Sequence, residues 1–167
     1  MIIETEKKAC DQRIGVAGCG SMGLPMLQTL LANNIKVKGY DIRHQDDFHS
    51  IKEHFMESKS EFIKQSEIIF SIVRDEGETL ELCEGKNGLF SVRDKKIIVI
   101  CSTLSPKFIE NLKRKAPVNI ELLDAPMSGA SIAAKEARVT FMVGSTRKQF
   151  EYISPLLFFM GTNVFHL

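Results

Sequence analysis

The chain has 167 residues, the length of one ordinary domain. Its 22 lysines and arginines nearly balance its 21 aspartates and glutamates, so no overall field attracts nucleic acid or acidic partners. No apolar run is long enough to span a bilayer, and 26% charged residues are typical of a soluble globular protein. The 4 cysteines lack the spacing of a zinc site or a disulfide framework, so we expect reduced thiols with structural roles.

The first 12 residues, "MIIETEKKACDQ", form a polar lead-in. A secretory signal would have a basic start and then an apolar stretch, whereas here three apolar residues are followed by charges. We therefore expect a cytoplasmic protein with one domain over residues 13–167, which binds neither a membrane nor nucleic acid.

Apolar strands and helix-period segments alternate through the first half of the chain. "RIGVAG" predicts a first strand, and residues 22–33 predict a first helix in which Pro25 lies in the first turn, where proline is tolerated. "IKVKGYD" predicts a second strand, "DDFHSIKEHF" a second helix, and "EIIFSIV" a third strand that is buried on both faces. "GETLELCEG" is expected to be helical and "KNGLF" to form a turn.

The second half continues the alternation. "KKIIVICST" predicts a buried strand, and "SPKFIENLKRK" predicts a helix with Ser105 as its N-cap and Pro106 as its first residue. "VNIELLDAP" predicts a strand that leads into a loop of small residues, "MSGASIAAKEA", before "RVTFMVGS" returns to strand character. The segment from residue 147 predicts a helix and a last short strand. The whole pattern predicts an α/β protein: a doubly wound, mostly parallel sheet with helices on both faces.

Three glycines between the first strand and the first helix, Gly18, Gly20 and Gly23, fit the pattern G-x-G-x-x-G. Gly18 permits a tight turn, Gly20 leaves room for a pyrophosphate, and Gly23 lets the helix pack on the strand. In this setting the motif predicts a Rossmann-type dinucleotide-binding domain, the alternative being a strand–helix turn without a ligand. The predicted phosphate-binding turn also includes Cys19, Ser21 and Met22.

An acidic residue, Asp41, ends the predicted second strand. A carboxylate there accepts hydrogen bonds from the ribose hydroxyls and repels a 2′-phosphate, which favours NAD. Arg43 and His44 would instead reach a 2′-phosphate if Asp41 turned aside, so NADP stays the alternative. They fit equally well as solvated loop charges. The predicted cofactor-binding set includes Ile42 and Arg43 together with Asp41.

The spacing of the histidines and of Cys101 does not favour a metal site or a nucleophilic residue. His44, His49 and His54 recur every five residues, which does not place them on one helix face, so we expect no metal site. Cys101 has no matching histidine and is expected to be a buried structural thiol.

Four segments resemble the β-hydroxyacid dehydrogenase family, which includes 3-hydroxyisobutyrate and 6-phosphogluconate dehydrogenases. "VAGCGSMGLPMLQTLL" resembles the family's opening G-x-G-x-M-G-x-x-M, and "IIFSIVRDEGETLELCEGKNGLF" resembles the segment that runs from Met-Leu-Pro to a glycine turn. "ICSTLSP" resembles its Ser-Thr-x-x-Pro segment, and "DAPMSGASIAAKEARVTFMVGS" resembles its D-A-P-V-S-G-G substrate loop. The segments follow the family's order over most of the chain.

The resemblance implies roles for residues outside the glycine turn. Val73 and Arg74 would lie along the cofactor, and Thr103 would lie near the nicotinamide ribose. The substrate, a small anionic hydroxyacid, would face Ser128, Gly129 and Ala130. From the residues alone, Thr103 and Ser128 fit equally well as turn residues that satisfy local backbone groups.

The chain also departs from the family pattern. Arg74 stands where the family has proline, and its charge beside the nicotinamide predicts a more anionic substrate. Glu78 stands where an asparagine often contacts the cofactor. Glycines of the family are replaced by Ala130, Ala133 and Ala137; an alanine that must adopt a positive φ costs about 1 kcal/mol.

The family transfers a hydride between the hydroxyl carbon of the substrate and nicotinamide, with a lysine of a second, all-helical domain as general acid–base. We expect that lysine beyond Leu167, so we assign no catalytic residue here and expect this chain alone to be inactive. We expect the full-length protein to be a homo-oligomer. The alternatives are a non-catalytic dinucleotide-binding or protein-interaction module, and an NADP-dependent imine or aldehyde reductase.

Overall fold

A five-stranded parallel sheet forms the centre of the computed structural model, which describes residues 9–167. Residues 1–8 of the predicted polar lead-in lie outside the described residues. The strand order is β2-β1-β3-β4-β5, so the direction of winding reverses between β1 and β3. At such a switch point the carboxyl ends of the two strands open a crevice where α/β proteins bind ligands. The strands are β1 Ile14–Ala17, β2 Val37–Tyr40, β3 Ile68–Ser71, β4 Lys96–Ile100 and β5 Ile120–Asp124.

Helices cover both faces of this sheet, which confirms the doubly wound prediction. Buried side chains of α1 and α6 pack against one face, and those of α2, α3 and α4 pack against the other. Every residue of β1 and β3 is buried, as expected for strands enclosed on both sides. The helices are α1 Gly23–Ala32, α2 Lys59–Gln65, α3 Glu76–Cys83, α4 Pro106–Lys115, α5 Ser131–Lys135 and α6 Arg147–Met160.

A second, three-stranded sheet consists of β6 Met127–Ser128, β7 Val139–Val143 and β8 Gly161–His166. β6 runs antiparallel to β7, and β8 runs parallel to it. The segment "MSGASIAAKEA" is therefore not the predicted loop, because it supplies β6 and the short helix α5. α5 packs against α1, which places this segment beside the helix that follows the glycine turn.

The predicted second helix is wrong in type. Gln45–His54 forms 3₁₀ turns that are interrupted by non-helical backbone at His49 and Ile51. The rings of Phe48 and Phe55 stack with their centroids 3.7 Å apart, and both side chains are buried. Burial of these two rings outweighs the helical periodicity of the segment.

Two helix starts show how side chains fix the ends of elements. Ser105 caps α4 as predicted, since its hydroxyl accepts a hydrogen bond from the Phe108 amide, and Pro106 is the first helical residue. Ser58 caps α2 in the same way through the Glu61 amide, although this helix was not predicted.

The described part of the chain contains no helix long and apolar enough to cross a membrane. Cys19, Cys83 and Cys101 are buried, and their structural role stays a prediction.

Candidate dinucleotide-binding cleft

The glycine turn lies at the switch point between β1 and β3, and two of its glycines are required by the packing of the protein itself. Gly18 has a φ of +86°, and a Cβ on it would lie 2.6 Å from the Ile72 carbonyl oxygen beyond β3. A Cβ on Gly23 would lie only 2.0 Å from the carbonyl oxygen of Gly18. The turn therefore packs directly against β3 on one side and α1 on the other, as the motif predicts.

Gly20 differs from both of its neighbours in the motif. A Cβ built on Gly20 would meet no atom within 4 Å, and its φ does not lie in the left-handed region. The fold itself therefore does not need a glycine at this position. The open space in front of Gly20 is where a pyrophosphate would approach the turn, so the residues present fit a dinucleotide.

The start of α1 provides the electrostatic complement to that space. Met22 precedes the helix without a side-chain cap, and the first turn contains no acidic residue. Helical bonding starts with the Leu24 amide, which donates to the Gly20 carbonyl oxygen at 3.1 Å. The amides before Leu24 have no acceptor within the helix, and together with the helix dipole they favour an anion.

Asp41 lies just beyond β2, and its carboxylate is held from two sides. Its Oδ2 accepts a hydrogen bond from the Cys19 amide at 2.7 Å, and its Oδ1 accepts from the amide and Nε of Arg43, both at 3.0 Å. Nη2 of Arg43 also donates to the Cys19 carbonyl oxygen at 2.7 Å. These bonds join the end of β2 to the glycine turn and fix the direction of the carboxylate. In this arrangement the Cys19 amide donates to Asp41.

The charge of Asp41 is stabilised although its side chain is only 9% exposed. Burial alone would raise the pKa of Asp41, but the hydrogen bonds from Arg43 and Cys19 outweigh burial and hold the pKa below its ordinary value. Asp41 in turn raises the pKa of Arg43. The carboxylate is therefore ionised over the physiological pH range.

Arg43 and His44, which follow Asp41, both contact other residues of the protein, although their side chains are 48% and 61% exposed. The guanidinium of Arg43 bonds to Asp41 and lies 4.9 Å from the centre of the Phe48 ring. His44 lies within 3.1 Å of Glu57, and its ring accepts a hydrogen bond from the Asp46 amide. Each side chain is therefore a partly exposed loop residue that also has a partner in the protein.

A pocket of about 590 Å³ opens at this edge of the sheet, a volume that is typical of ligand sites. It unites seven residues of the predicted set: Gly18, Gly20, Asp41, Ile42, Arg43, Val73 and Arg74. Residues Cys19, Ser21, Met22 and Gly23 form the turn and helix start beside it, and they do not line the pocket.

Three ion pairs surround the pocket. Besides Asp41–Arg43, the side chain of Arg74 is paired with Glu78, and Lys59 Nζ lies 2.9 Å from Glu81 Oε1. The positive charge of Arg74, which stands where the family has proline, is therefore balanced locally by Glu78. The charges of the ionisable residues that line the pocket sum to zero, so an anion bound there would be attracted by the turn and the start of α1.

Several pocket residues were not predicted. Lys59 comes from α2, and the sequence pattern Ser-x-x-Glu at residues 58–61 was the signal for that helix. Ser102, which is buried after β4 and does not itself line the pocket, donates from its hydroxyl to the Val73 carbonyl oxygen at 2.5 Å and so positions Val73. The other lining residues outside the predicted set are Ala17, Tyr40, Ile72, Glu78, Glu81 and Leu82.

The remaining predicted residues lie outside this pocket. Thr103 is exposed beyond β4, and Ser128 is exposed in β6, where it pairs with Thr140. Gly129 has a φ of +142°, which a side chain rarely adopts. Ala130 has an ordinary extended backbone and precedes α5. Substrate contact by Ser128, Gly129 and Ala130 remains a prediction.

Of the three alanines that replace family glycines, Ala137 has the strained backbone, with a φ of +52°. Ala130 has a φ of −89°, and Ala133 lies inside α5. Within residues 9–167, no three histidine, cysteine, aspartate or glutamate side chains are grouped to hold a metal ion.

Curated relatives resemble the chain over nearly its whole length. It is 29% identical over 159 residues to 2-(hydroxymethyl)glutarate dehydrogenase of Eubacterium barkeri, with 93% of this chain and 53% of that protein covered. It is 32% identical over 162 residues to 2-hydroxy-3-oxopropionate reductase of Escherichia coli, covering 91% of this chain and 53% of the reductase. The chain thus spans about half the length of these relatives.

Solved structures share the fold. A 3-hydroxyisobutyrate dehydrogenase of Mycobacterium tuberculosis with L-serine superposes with a TM-score of 0.81 at 24% identity, covering 93% of this chain and 54% of that one. An imine reductase from Myxococcus stipitatus in complex with NADP+ gives a TM-score of 0.82 at 18% identity, with 93% and 54% covered. At these identities the likeness establishes the fold alone, and it confirms the Rossmann-type prediction.

A family model connects the fold to the cleft. The model for the NAD binding domain of 6-phosphogluconate dehydrogenase matches residues 13–167, which include the glycine turn, Asp41 and the segments after β3, β4 and β5. The predicted resemblance to β-hydroxyacid dehydrogenases is confirmed by the dehydrogenases among the relatives. The chain belongs to the family of NAD-binding domains found in 6-phosphogluconate dehydrogenase and its relatives.

Proposed function

We propose that the chain is the cofactor-binding domain of an oxidoreductase that acts on a small β-hydroxyacid, with NAD as the preferred cofactor. The observation that carries the proposal is the open space at Gly20, which lies between the uncapped start of α1 and a fixed, ionised Asp41. The fold does not need a glycine there, whereas a bound pyrophosphate does.

Different residues of the cleft would bind different parts of the cofactor. Gly18, Gly20 and the amides at the start of α1 would hold the pyrophosphate, and Asp41 would accept hydrogen bonds from the adenosine ribose. Ile42, whose side chain is largely exposed at the pocket, would lie against the adenine. Val73 and Arg74 would border the opposite side. When bound, the nicotinamide supplies hydride transfer, and these residues supply binding and orientation.

The contacts of Arg43 favour NAD over NADP. A 2′-phosphate on the ribose would stand beside the Asp41 carboxylate, whose charge is stabilised by four donors of the protein. Arg43 would have to leave Asp41 and the Cys19 carbonyl oxygen in order to reach that phosphate. We infer that the cost of breaking these contacts adds to the repulsion from Asp41.

The substrate would bind beside the nicotinamide end. α5 packs on α1, which supports a substrate site at Ser128, Gly129 and Ala130 near the glycine turn, with Thr103 beside the nicotinamide ribose. The catalytic lysine of the resemblance has no counterpart that we assign in this chain. We propose that it belongs to a helical domain beyond Leu167, so that the 167-residue chain alone binds cofactor without turnover.

Exposed apolar side chains near the end of the chain support a larger protein. Phe158 of α6, Phe165 of β8 and Leu167 are all more than half exposed. The relatives are about twice as long as this chain. We propose that further chain covers these side chains in a homo-oligomeric full-length protein, and light scattering of that protein would test it.

The experiment is a titration of the chain with NAD and with NADP by calorimetry, together with thermal unfolding. A ligand at 100 times its Kd stabilises a protein by about 2.7 kcal/mol, which is a readily visible shift. We expect NAD to bind more tightly than NADP. Asp41→Asn should reduce the difference in affinity between the two dinucleotides. If neither dinucleotide binds, the proposed function is wrong; tighter binding of NADP would overturn the choice of NAD.

A further inference from the structure

One cation of the cleft is much more exposed than the other two. Arg43 bonds to both Asp41 and the Cys19 carbonyl oxygen. Lys59 is only 16% exposed and donates to the carboxylate and the carbonyl oxygen of Glu81. The side chain of Arg74 is 82% exposed, and it donates hydrogen bonds to Glu78 from Nε and Nη2. Arg74 is therefore the cation that can change partner at least cost.

Arg74 also stands close to the glycine turn. A Cβ on Gly18 would lie 3.0 Å from the amide nitrogen of Val73, the residue before Arg74. Both Arg74 and Gly20 line the same pocket. An arginine side chain that begins one residue from this contact can reach across the space in front of Gly20.

Glu78 holds Arg74 at the opposite wall of the cleft. Its Oε2 accepts a hydrogen bond from the Arg74 amide at 2.9 Å, and its Oε1 accepts from Nε at 2.7 Å and also from Nη2. The amide contact fixes the carboxylate at the start of α3, so the carboxylate stays in place even when the guanidinium leaves. Glu78 lies within the electrostatic range of Asp41, which places two negative charges on the walls that a dinucleotide must approach.

A pyrophosphate in front of α1 would be the stronger acceptor for the guanidinium. It carries two negative charges, and arginine binds phosphate oxygens through paired donors. One carboxylate at an exposed site contributes little to holding an arginine. The transfer requires only rotation of an exposed side chain.

We propose that Arg74 is a mobile clamp for the cofactor pyrophosphate: Glu78 holds it in the free chain, and it moves to the phosphates when the dinucleotide binds. Glu78 therefore acts as an internal competitor that lowers affinity. The inference rests on the proposed function, since it assumes that the dinucleotide occupies this cleft.

The test is a double-mutant cycle with Glu78→Gln, Arg74→Gln and the double variant, using NAD and ADP-ribose, which share the pyrophosphate. Glutamine at position 78 keeps an oxygen for the Arg74 amide while it removes the competing charge. We expect Glu78→Gln to tighten binding by about three- to fivefold relative to wild type, and the double variant to bind no more tightly than wild type. Arg74→Gln alone should weaken binding most, because Glu78 is then an unpaired charge facing the phosphates.

The signs of the effects separate this inference from simple damage to the site. Unchanged or weaker binding by Glu78→Gln would overturn it while leaving the proposed function intact, provided that the wild-type chain binds NAD. A double variant that binds more tightly than wild type would also overturn it, because Arg74 would then not be the source of the gain. Failure of the wild-type chain to bind any dinucleotide would reject the proposed function and the clamp together. Urea unfolding of each variant checks that the fold is retained.

Discussion

At the scale of single residues, the three glycines of the turn serve different physical needs. A Cβ on Gly23 would clash with the Gly18 carbonyl oxygen at 2.0 Å, whereas a Cβ on Gly20 would meet nothing within 4 Å. We expect Gly23→Ala to lower the free energy of unfolding by about 3 kcal/mol, since backbone must move to make room. Gly20→Ala should change stability by less than about 1 kcal/mol and weaken NAD binding at least about tenfold.

The two variants control for each other, because both add one methyl group to the same turn. Urea unfolding gives the stability of each, and calorimetry gives the NAD affinity at a temperature where both are folded. Retained affinity in a stable Gly20→Ala variant would show that the open space is not the phosphate site.

Ala137 provides a second test at the residue scale. Its φ of +52° is strained for a residue with a Cβ, and the strain costs about 1–2 kcal/mol. Ala137→Gly removes that strain but adds flexibility to the unfolded chain, so we expect a net gain of about 1 kcal/mol in urea unfolding. Ala133→Gly is the matched control, because Ala133 lies inside α5 and its replacement should lower stability. Equal effects at both positions would contradict the assignment of strain to Ala137.

At the scale of elements, Asp41 is the link between β2 and the glycine turn. The pKa of Asp41 is lowered in the folded chain, so its stabilising contribution is full above the unfolded pKa of about 3.9 and is lost as the pH falls through the folded value. Asp41→Asn should lower the free energy of unfolding at pH 7 by about 1–3 kcal/mol.

The difference between wild type and Asp41→Asn should shrink as the pH falls from 5 towards 2. Urea unfolding across that range measures it. A difference in the free energy of unfolding that stays constant with pH would mean that the charge of Asp41 does not stabilise the connection between β2 and the glycine turn.

The elements differ in how far the sequence predicts them, for physical reasons. β1, β3 and β4 are short apolar runs that must be buried, and α4 has a cap and a proline at its start, so local signals and the fold agree. Gln45–His54 has helical periodicity, but stacking of Phe48 on Phe55 interrupts its helix. The energy that decides this segment comes from packing, which periodicity does not report.

The candidate site also contains some residues that local sequence predicts and others whose positions depend on packing. The glycine turn and Asp41 were predicted because each is fixed by a local backbone requirement or by the end of a strand. The ion pairs Arg74–Glu78 and Lys59–Glu81 join side chains whose directions depend on α2 and α3. Opposite charges four residues apart stabilise a helix when both residues lie within it. Arg74 lies before α3 and Glu78 lies inside it, so this spacing alone did not predict the pair.

At the scale of the whole molecule, three buried thiols make stability fall in alkali. Burial raises the pKa of Cys83 to about 12 and raises the pKa values of Cys19 and Cys101 as well. The unfolded chain loses these protons near pH 8.5, so above that pH the unfolded state binds fewer protons than the folded state. Lys96, whose pKa is lowered by burial, acts in the opposite direction but is one group against three.

We expect the free energy of unfolding to decrease as the pH rises from 8 to 10 under reducing conditions, by up to about 1.4 kcal/mol per pH unit for each thiol. Urea unfolding at several pH values measures the slope, and Cys101→Ala should reduce it by about one proton. A stability that is flat or rises over this range would mean that the thiols already ionise in the folded chain.

The residues that line the cofactor pocket all fall between positions 17 and 82, whereas β6, α5 and β7, which contain the predicted substrate residues, lie beyond position 126. Under the proposed function, the residues that line the cofactor pocket and those predicted to contact the substrate are encoded in separate stretches of one chain, even though α5 and α1 are neighbours in space. A single crossover between two related genes, placed within the codons for β4 or β5, would exchange the second stretch and leave the first unchanged. Under the proposed function, such a crossover would change the predicted substrate residues without changing the residues that line the cofactor pocket.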